Sequence, residues 1–302
     1  MNAFLSAAAL LFFPGGLSLL VSGLAYEWAD RKLLARMQNR LGPRWFQPLA
    51  DVVKLLSKEE IVPYGANRLI FNLLPVAALA GPLTAALYVP LFGLPPMYSF
   101  QGDLIVVIYL LSLLTICTGL AGANMASRFS VLGATRTLTQ VFAYEAPFLL
   151  ALLGPAIAAG SWEIRSIQAF AETRWLLLTQ PLGFLVALIG LMGKLELPPF
   201  DAPEAETEIV AGALTEYSGR GLALFRLGKG VEMVVGLTLI AAFFLGGVGN
   251  LPGFLLKTLV LLLVLVTLQA VLTRFRIDQV VRGWRWGALL ALLQILVMII
   301  WG

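Results

Sequence analysis

Apolar residues run along this chain in stretches of about 20, each closed by charged or turn-forming residues. Eight such stretches lie near 4–26, 69–90, 103–124, 140–160, 176–196, 229–247, 254–273 and 285–301. At about 1.5 Å of rise per residue, a helix of that length crosses about 30 Å of hydrocarbon. The pattern predicts an all-α integral membrane protein, a bundle of about eight transmembrane helices in one polytopic domain over residues 1–302. The first stretch has no basic segment ahead of it and no small-residue cleavage site behind it, so it reads as a retained span rather than a signal peptide.

Between the spans, polar residues gather on alternate sides. Segments 27–68 and 197–228 are long, whereas those near 91–102 and 248–253 are short and rich in Gly and Pro. With the amino terminus outside, the inward connections carry 18 Lys and Arg and the outward ones only Arg165, Arg174 and Lys257. That asymmetry satisfies the positive-inside rule and predicts both termini outside. Within the first long connection, Phe46, Leu49, Val52, Val53, Leu55 and Leu56 alternate with Asp51, Lys54 and Lys58, the pattern of an amphipathic helix lying in the membrane interface. Ahead of it, Arg31, Lys32, Arg36 and Arg40 stand at helical spacing near Gln38 and Asn39. They suit either lipid headgroups or a soluble partner.

Composition agrees with the pattern: 59% of residues are apolar and 13% charged. The chain has no histidine and one cysteine, Cys117, which removes the usual ligands of haem, iron–sulfur clusters, zinc and copper and forbids an internal disulfide. No metal or cofactor is expected in it. The net charge of +4 follows membrane topology and points to no nucleic-acid partner.

The chemistry concentrates in a long acidic inner loop, Leu197-Pro-Pro-Phe-Asp-Ala-Pro-Glu-Ala-Glu-Thr-Glu-Ile-Val-Ala-Gly-Ala-Leu-Thr-Glu-Tyr-Ser-Gly219, which holds Asp201, Glu204, Glu206, Glu208 and Glu216. Carboxylates beside a bilayer cost several kcal/mol each unless paired, hydrated or protonated. Asp201, Pro203 and Glu204 resemble a helix start with a capping box, which accounts for two of the five acids. Glu204 and Glu208, four apart, are expected on one helical face, where crowding favours a shared proton and raised acid pKa values. Three further acids fall inside or at the ends of spans: Glu145, Glu196 beside Lys194, and Glu232 three residues after Lys229. Each is open to a salt-bridged structural reading, for instance Glu232 with Lys229 at i, i+3. Glu145 has no basic neighbour within a turn, and Pro147 beside it is expected to free a carbonyl for water.

Four blocks of this sequence resemble the membrane heel subunit of respiratory complex I, the NuoH type, and its relatives in energy-converting [NiFe]-hydrogenases, such as the HycD subunit of formate hydrogenlyase. They are Asp30-Arg-Lys-Leu-Leu-Ala-Arg-Met-Gln-Asn-Arg-Leu-Gly-Pro43; Gln47-Pro-Leu-Ala-Asp-Val-Val-Lys54; Leu132-Gly-Ala-Thr-Arg136 with Gln140, Tyr144 and Glu145; and Pro199-Phe-Asp-Ala-Pro-Glu-Ala-Glu206 running to Glu216-Tyr-Ser-Gly219. Complex I members usually carry a glycine-bearing insertion where this chain has only Arg44, Trp45 and Phe46 between Pro43 and Gln47. The continuation Leu224-Phe-Arg-Leu-Gly-Lys-Gly-Val-Glu-Met233 also lacks the Phe-rich pattern of the quinone-reducing enzymes. Both features place the chain nearer the hydrogenase branch, with a NuoH-type subunit of a quinone-reducing complex as the alternative.

The resemblance implies a subunit of an oxidoreductase complex in a prokaryotic plasma membrane, with no redox centre of its own. It would anchor a peripheral arm and couple electron transfer there to proton or sodium movement. The expected partners are hydrogenase-like large and small subunits carrying a nickel–iron site, iron–sulfur subunits and antiporter-like membrane subunits. By matching positions, Asp201, Glu204, Glu206, Glu208 and Glu216 would open an ion path that Glu145 continues into the bundle; Glu196, Glu232, Lys194 and Lys229, charges in or at the ends of spans, are expected on the same path. Arg31, Arg36, Gln38, Arg40, Arg136 and Gln140 would serve the interface with the arm. Two rivals remain at this point, a stand-alone ion transporter and a scaffold whose acids only bind partners. Against the first, the second half of the chain has no counterpart to the acid-rich first half.

Overall fold

In the computed structural model, which describes residues 11–301 apart from the side chains of Glu206 and Trp301, every regular element described is helical. The helices of ten residues or more are α1 (Gly16–Met37), α2 (Gln47–Ser57), α3 (Arg68–Ala85), α4 (Asp103–Ala123), α5 (Arg128–Ala159), α6 (Ile164–Thr173), α7 (Pro181–Lys194), α8 (Gly219–Phe244), α9 (Leu251–Val271) and α10 (Ile277–Trp301). Six of these, α3, α4, α5, α8, α9 and α10, are long and apolar enough to cross a membrane. The expected eight spans differ at two places. Residues 4–10 of the first lie outside the described residues, and its helix continues to Met37 through Glu27, Asp30, Arg31, Lys32 and Arg36, too polar to count as hydrocarbon-spanning throughout. The fifth is broken at Gln180: a single turn, Leu176–Thr179, precedes α7, and Pro181 has no N–H to carry the helical ladder across. α7 then spans only 14 residues, about 21 Å.

Helix ends also differ from the hydrophobic boundaries. α5 starts at Arg128 and runs 32 residues through Pro147 and Pro155, so Arg128 and Arg136 stand on a helix instead of in a connection. α8 likewise starts at Gly219, which puts Arg220 and Arg226 on helical turns. Two helix starts carry side-chain caps: Asn67 caps α3 by accepting from the Leu69 and Ile70 amides, and Asn250 caps α9 by accepting from the Gly253 amide. The segment 160–176 contains α6, which was not expected; Ile164, Ile167 and Ala171 form its buried face.

α8 lies at the centre. Apart from its charged first turns and Glu232 it has no polar face, and 89% of its membrane-spanning window is buried, as such a helix requires. α1, α2, α3, α9, α6 and α7 pack around it. The α1–α8 crossing is close because both helices place glycine there: a Cβ on Gly23 would meet the Gly230 carbonyl carbon at 2.8 Å. α5 forms a second layer against α4, α7 and α10, and α10 is the least covered, with 17% of its window buried. Amphipathic α2 lies against α1 and α8 and leaves Leu49, Val53 and Leu56 exposed.

Candidate functional site: a row of ion pairs at the charged end

The C-terminal ends of α1, α4, α7 and α9 and the N-terminal ends of α3, α5, α8 and α10 come together at one end of the bundle, where Asn67 and Asn124 exchange hydrogen bonds between α3 and the end of α4. The acidic segment crosses this end. It is not a continuous helix: residues 201–205 are turns, followed by a single helical turn at Glu206–Ile209 and a 3-10 turn at Gly212–Leu214. The expected capping box is therefore absent. Asp201 instead takes a bidentate pair from Arg274, in the link between α9 and α10, at 2.9 and 2.5 Å.

Glu204 and Glu208 do not share a helical face either, and each has its own cation. Lys229 of α8 binds Glu204, and Arg136 of α5 donates to Glu208 at 2.8 Å and to the Ala202 carbonyl at 3.2 Å. The hydrogen bond and charge of Arg136 hold the Glu208 carboxyl below the usual glutamate range, opposite to the rise expected from crowding. Glu216 makes no ion pair among the described residues, and the side chain of Glu206 lies outside them.

Inward of the segment, Glu196 occupies an uncommon backbone site. α7 ends with Leu197 N–H donating to Met192 C=O at 3.0 Å and Glu196 N–H to Gly193 C=O, a Schellman motif whose C′ residue is left-handed. Glycine usually fills that position; here it is Glu196, at φ 52°. The cost is accepted where the carboxylate is turned into the bundle, 4% exposed, with Lys229 Nζ at 3.0 Å. Burial raises its pKa, Lys229 opposes that, and Glu204 adds to it. Lys229 therefore joins the acidic segment to the interior and does not pair with Glu232 one turn on, as i, i+3 spacing suggests.

Glu232 is fully buried on α8 with neither carboxylate oxygen hydrogen-bonded among the described residues. Lys194, Lys229, Glu196 and Glu145 are the charges within electrostatic range of it. Lys194, also fully buried, does not pair with neighbouring Glu196. It reaches across to Ser112 of α4 at 2.7 Å and Glu145 of α5 at 3.4 Å, with the Tyr144 and Phe148 rings 5.3 and 5.6 Å away. Ser112 bridges the pair by donating to Glu145 at 2.6 Å. Four carboxylates and two ammonium groups thus form a row, with Glu204, Lys229 and Glu196 at one end, Lys194 and Glu145 at the other, and Glu232 between them.

The residues expected at the interface with a peripheral arm divide. Arg36, Gln38 and Arg40 are exposed at the end of α1, while Arg31 is tied to Glu27 and, at 3.3 Å, to Asp51 of α2. Gln140 lies on no surface. It is 1% exposed and donates to the carbonyls of Gly193 and Phe200 at 2.9 and 2.8 Å, which fastens the start of the acidic segment to α5. Ser112, Glu27 and Asp30, which bonds Gln269 of α9 at 3.1 Å, escaped sequence reasoning. The two acids were visible as charges in a helix beside apolar residues; a serine inside an apolar run gives no such signal.

Helices of membrane-spanning length wrapped around buried ion pairs define an all-α integral membrane protein. The chain belongs to the NADH dehydrogenase family, whose model matches residues 9–299. It is 37% identical to the NuoH-type chain of the NADH-quinone oxidoreductase of Thermomicrobium roseum over 91% of this chain and 90% of that protein. It is 36% identical to a chain of the same type from Geobacter metallireducens, over 97% and 94%. Its fold matches a chain of the membrane-bound sulfane sulfur reductase (MBS), an archaeal respiratory membrane complex, with a TM-score of 0.87 and 22% identity, over 98% of this chain and 99% of that one. The relatives favour the quinone-linked NuoH alternative over the hydrogenase branch to which residues 44–46 and 224–233 point.

Proposed function

We propose that this chain is the NuoH-type membrane subunit of a complex I-like respiratory complex, and that its row of carboxylates and lysines couples electron transfer in partner subunits to ion movement. The observation that carries the reading is Glu232, a carboxyl group sealed in the central helix with no hydrogen-bond partner among the described residues, between the Lys229 and Lys194 pairs. Buried carboxylates without partners are costly, and a structural role would favour an apolar side chain there. A charge change in a peripheral redox arm would alter proton occupancy at the acidic segment, and each lysine would pass the change to the next carboxylate electrostatically. Nickel–iron or iron–sulfur centres, where the complex has them, belong to the partner subunits.

The test is the purified complex in liposomes carrying Glu232→Gln or Glu145→Gln. The expected result is intact assembly and electron transfer with loss of the ion gradient. Unchanged gradient formation would refute the coupling role, leaving the scaffold reading. A second reading, an acceptor other than quinone as in a hydrogenase-type complex, draws on the three-residue link between Pro43 and Gln47. The identity of the large subunit that co-purifies, and whether it keeps cysteine ligands for nickel, decides between them.

A further inference from the structure

Away from the ion-pair row, α7 and α10 part near the charged end to leave a cavity of about 230 Å³. Its walls are apolar: Leu185 and Ile189 of α7, Phe275 before α10, and Trp284, Trp286 and Leu290 on it. Two features separate it from ordinary lipid-facing surface. Trp284 lines it at 4% exposure, and its indole N–H, itself sealed away, has no acceptor among the described residues. Arginines also flank its lining residues in the chain: Arg276 follows Phe275, Arg282 precedes Gly283, and Arg285 stands between Trp284 and Trp286. Arg276, Arg282 and Arg285 are all exposed, and Arg282 stands four residues before Trp286 on the same stripe of the helix. Asp278 pairs with Arg276 at 3.3 Å, whereas Arg282 and Arg285 meet no carboxylate among the described residues.

An apolar slot whose lining residues are flanked by exposed guanidinium groups is complementary to a molecule with a hydrocarbon chain and a negatively charged head. We propose that this cavity binds an acyl chain of an anionic phospholipid from the surrounding bilayer, with its phosphate on Arg282 and on Arg276, which turns to it from its exposed pair with Asp278. The proposal does not depend on the ion-path reading. Its consequence reaches that region all the same, because Phe200, one residue before Asp201, lines the cavity and packs its ring 5.2 Å from Trp284 and 6.1 Å from Phe275. Phe275 N–H donates to Pro199 C=O at 3.0 Å, so the lipid would buttress the start of the acidic segment.

Gly283 lines the cavity, and a Cβ built on it meets nothing within 4 Å, so Gly283→Leu sends a side chain into the slot with room at its base. Native mass spectrometry of the purified, partly delipidated complex should show one tightly held phosphatidylglycerol that Gly283→Leu removes while every subunit stays bound. In nanodiscs of mixed phosphatidylglycerol and phosphatidylcholine, Arg276→Gln and Arg282→Gln should each lower the preference for the anionic lipid about fivefold. Retention of the lipid by Gly283→Leu, or equal retention of both lipids by the unmodified complex, overturns the proposal. So does release of a subunit by Gly283→Leu, since the slot would then seat a partner polypeptide. Should that variant fail to assemble, the arginine substitutions decide alone: no change in lipid preference overturns the proposal.

Discussion

Glu196 shows how a single residue can be placed by function against local preference. Its left-handed backbone belongs to glycine at the end of a Schellman motif, and its carboxylate belongs to Lys229. The two demands can be separated. Glu196→Ala and Glu196→Gly both remove the carboxylate, but only glycine relieves the backbone, so the glycine variant should be more stable by about 1 kcal/mol. Thermal unfolding of the two variants in the same detergent measures this; equal stability would mean that the backbone there is unstrained. The intramembrane charges Glu145, Lys194 and Glu232 were legible in the sequence because ionisable groups in apolar runs stand out. Their partners were not, since Lys194 and Glu145 are 49 positions apart and sequence proximity favoured Lys194 with Glu196. Ser112 was hidden for another reason: serine in a helix commonly bonds the carbonyl four residues back, and the Ile108 carbonyl stands 3.0 Å from its hydroxyl, so nothing in the pattern marks that its one proton goes to Glu145 instead.

The acidic segment is an element held by its neighbours more than by its own secondary structure. Its 3-10 turn rests on α5 so closely that a Cβ on Gly133 would come within 2.2 Å of the Ala213 nitrogen and 2.4 Å of the Gly212 carbonyl carbon. Gly133→Ala should therefore displace the turn, at a cost of about 1–3 kcal/mol, and raise hydrogen exchange across residues 203–214 while α8 stays protected. Unchanged exchange there would show that the turn tolerates the shift. The same element should respond to acid. Because Arg136 lowers the Glu208 pKa from its usual 4.5, the latch between them contributes fully above that value and is lost as pH falls through the lower folded-state value. Hydrogen exchange of residues 203–214 should rise on acidification below pH 4.5, and Glu208→Gln should abolish the latch's share of that response. The sequence named these acids but assigned them to a helix, because Asp201, Pro203 and Glu204 satisfy the capping pattern. Tertiary charges from α5, α8 and the α9–α10 link override that local preference. Helices α3, α4 and α9 were found by hydropathy alone; α5, α8 and α10 begin ahead of their apolar runs because charged residues continue a helix at the membrane edge without loss of backbone bonding.

Across the whole molecule, three cations from three separate places converge on the acidic segment: Arg136 from α5, Lys229 from α8 and Arg274 from the α9–α10 link. They are not equivalent. Arg136 pairs with a half-exposed carboxylate that solvent and salt can replace, so the bond contributes little to stability. Lys229 reaches Glu196 in the interior as well as Glu204, and its removal would leave a buried carboxylate without its cation. Breaking a buried pair from one side costs about 3–5 kcal/mol, far more than the pair itself contributes relative to apolar side chains. Lys229→Met should therefore destabilise the protein by that order, and Glu196→Gln added to it should recover much of the loss by removing the stranded charge. Arg136→Gln should behave oppositely, with a small effect that vanishes at high salt. Unfolding of the four proteins at low and high ionic strength reads both expectations. If the second substitution fails to rescue Lys229→Met, the lysine is holding α8 by packing, and the ion-pair row is not the electrostatic unit that the geometry describes.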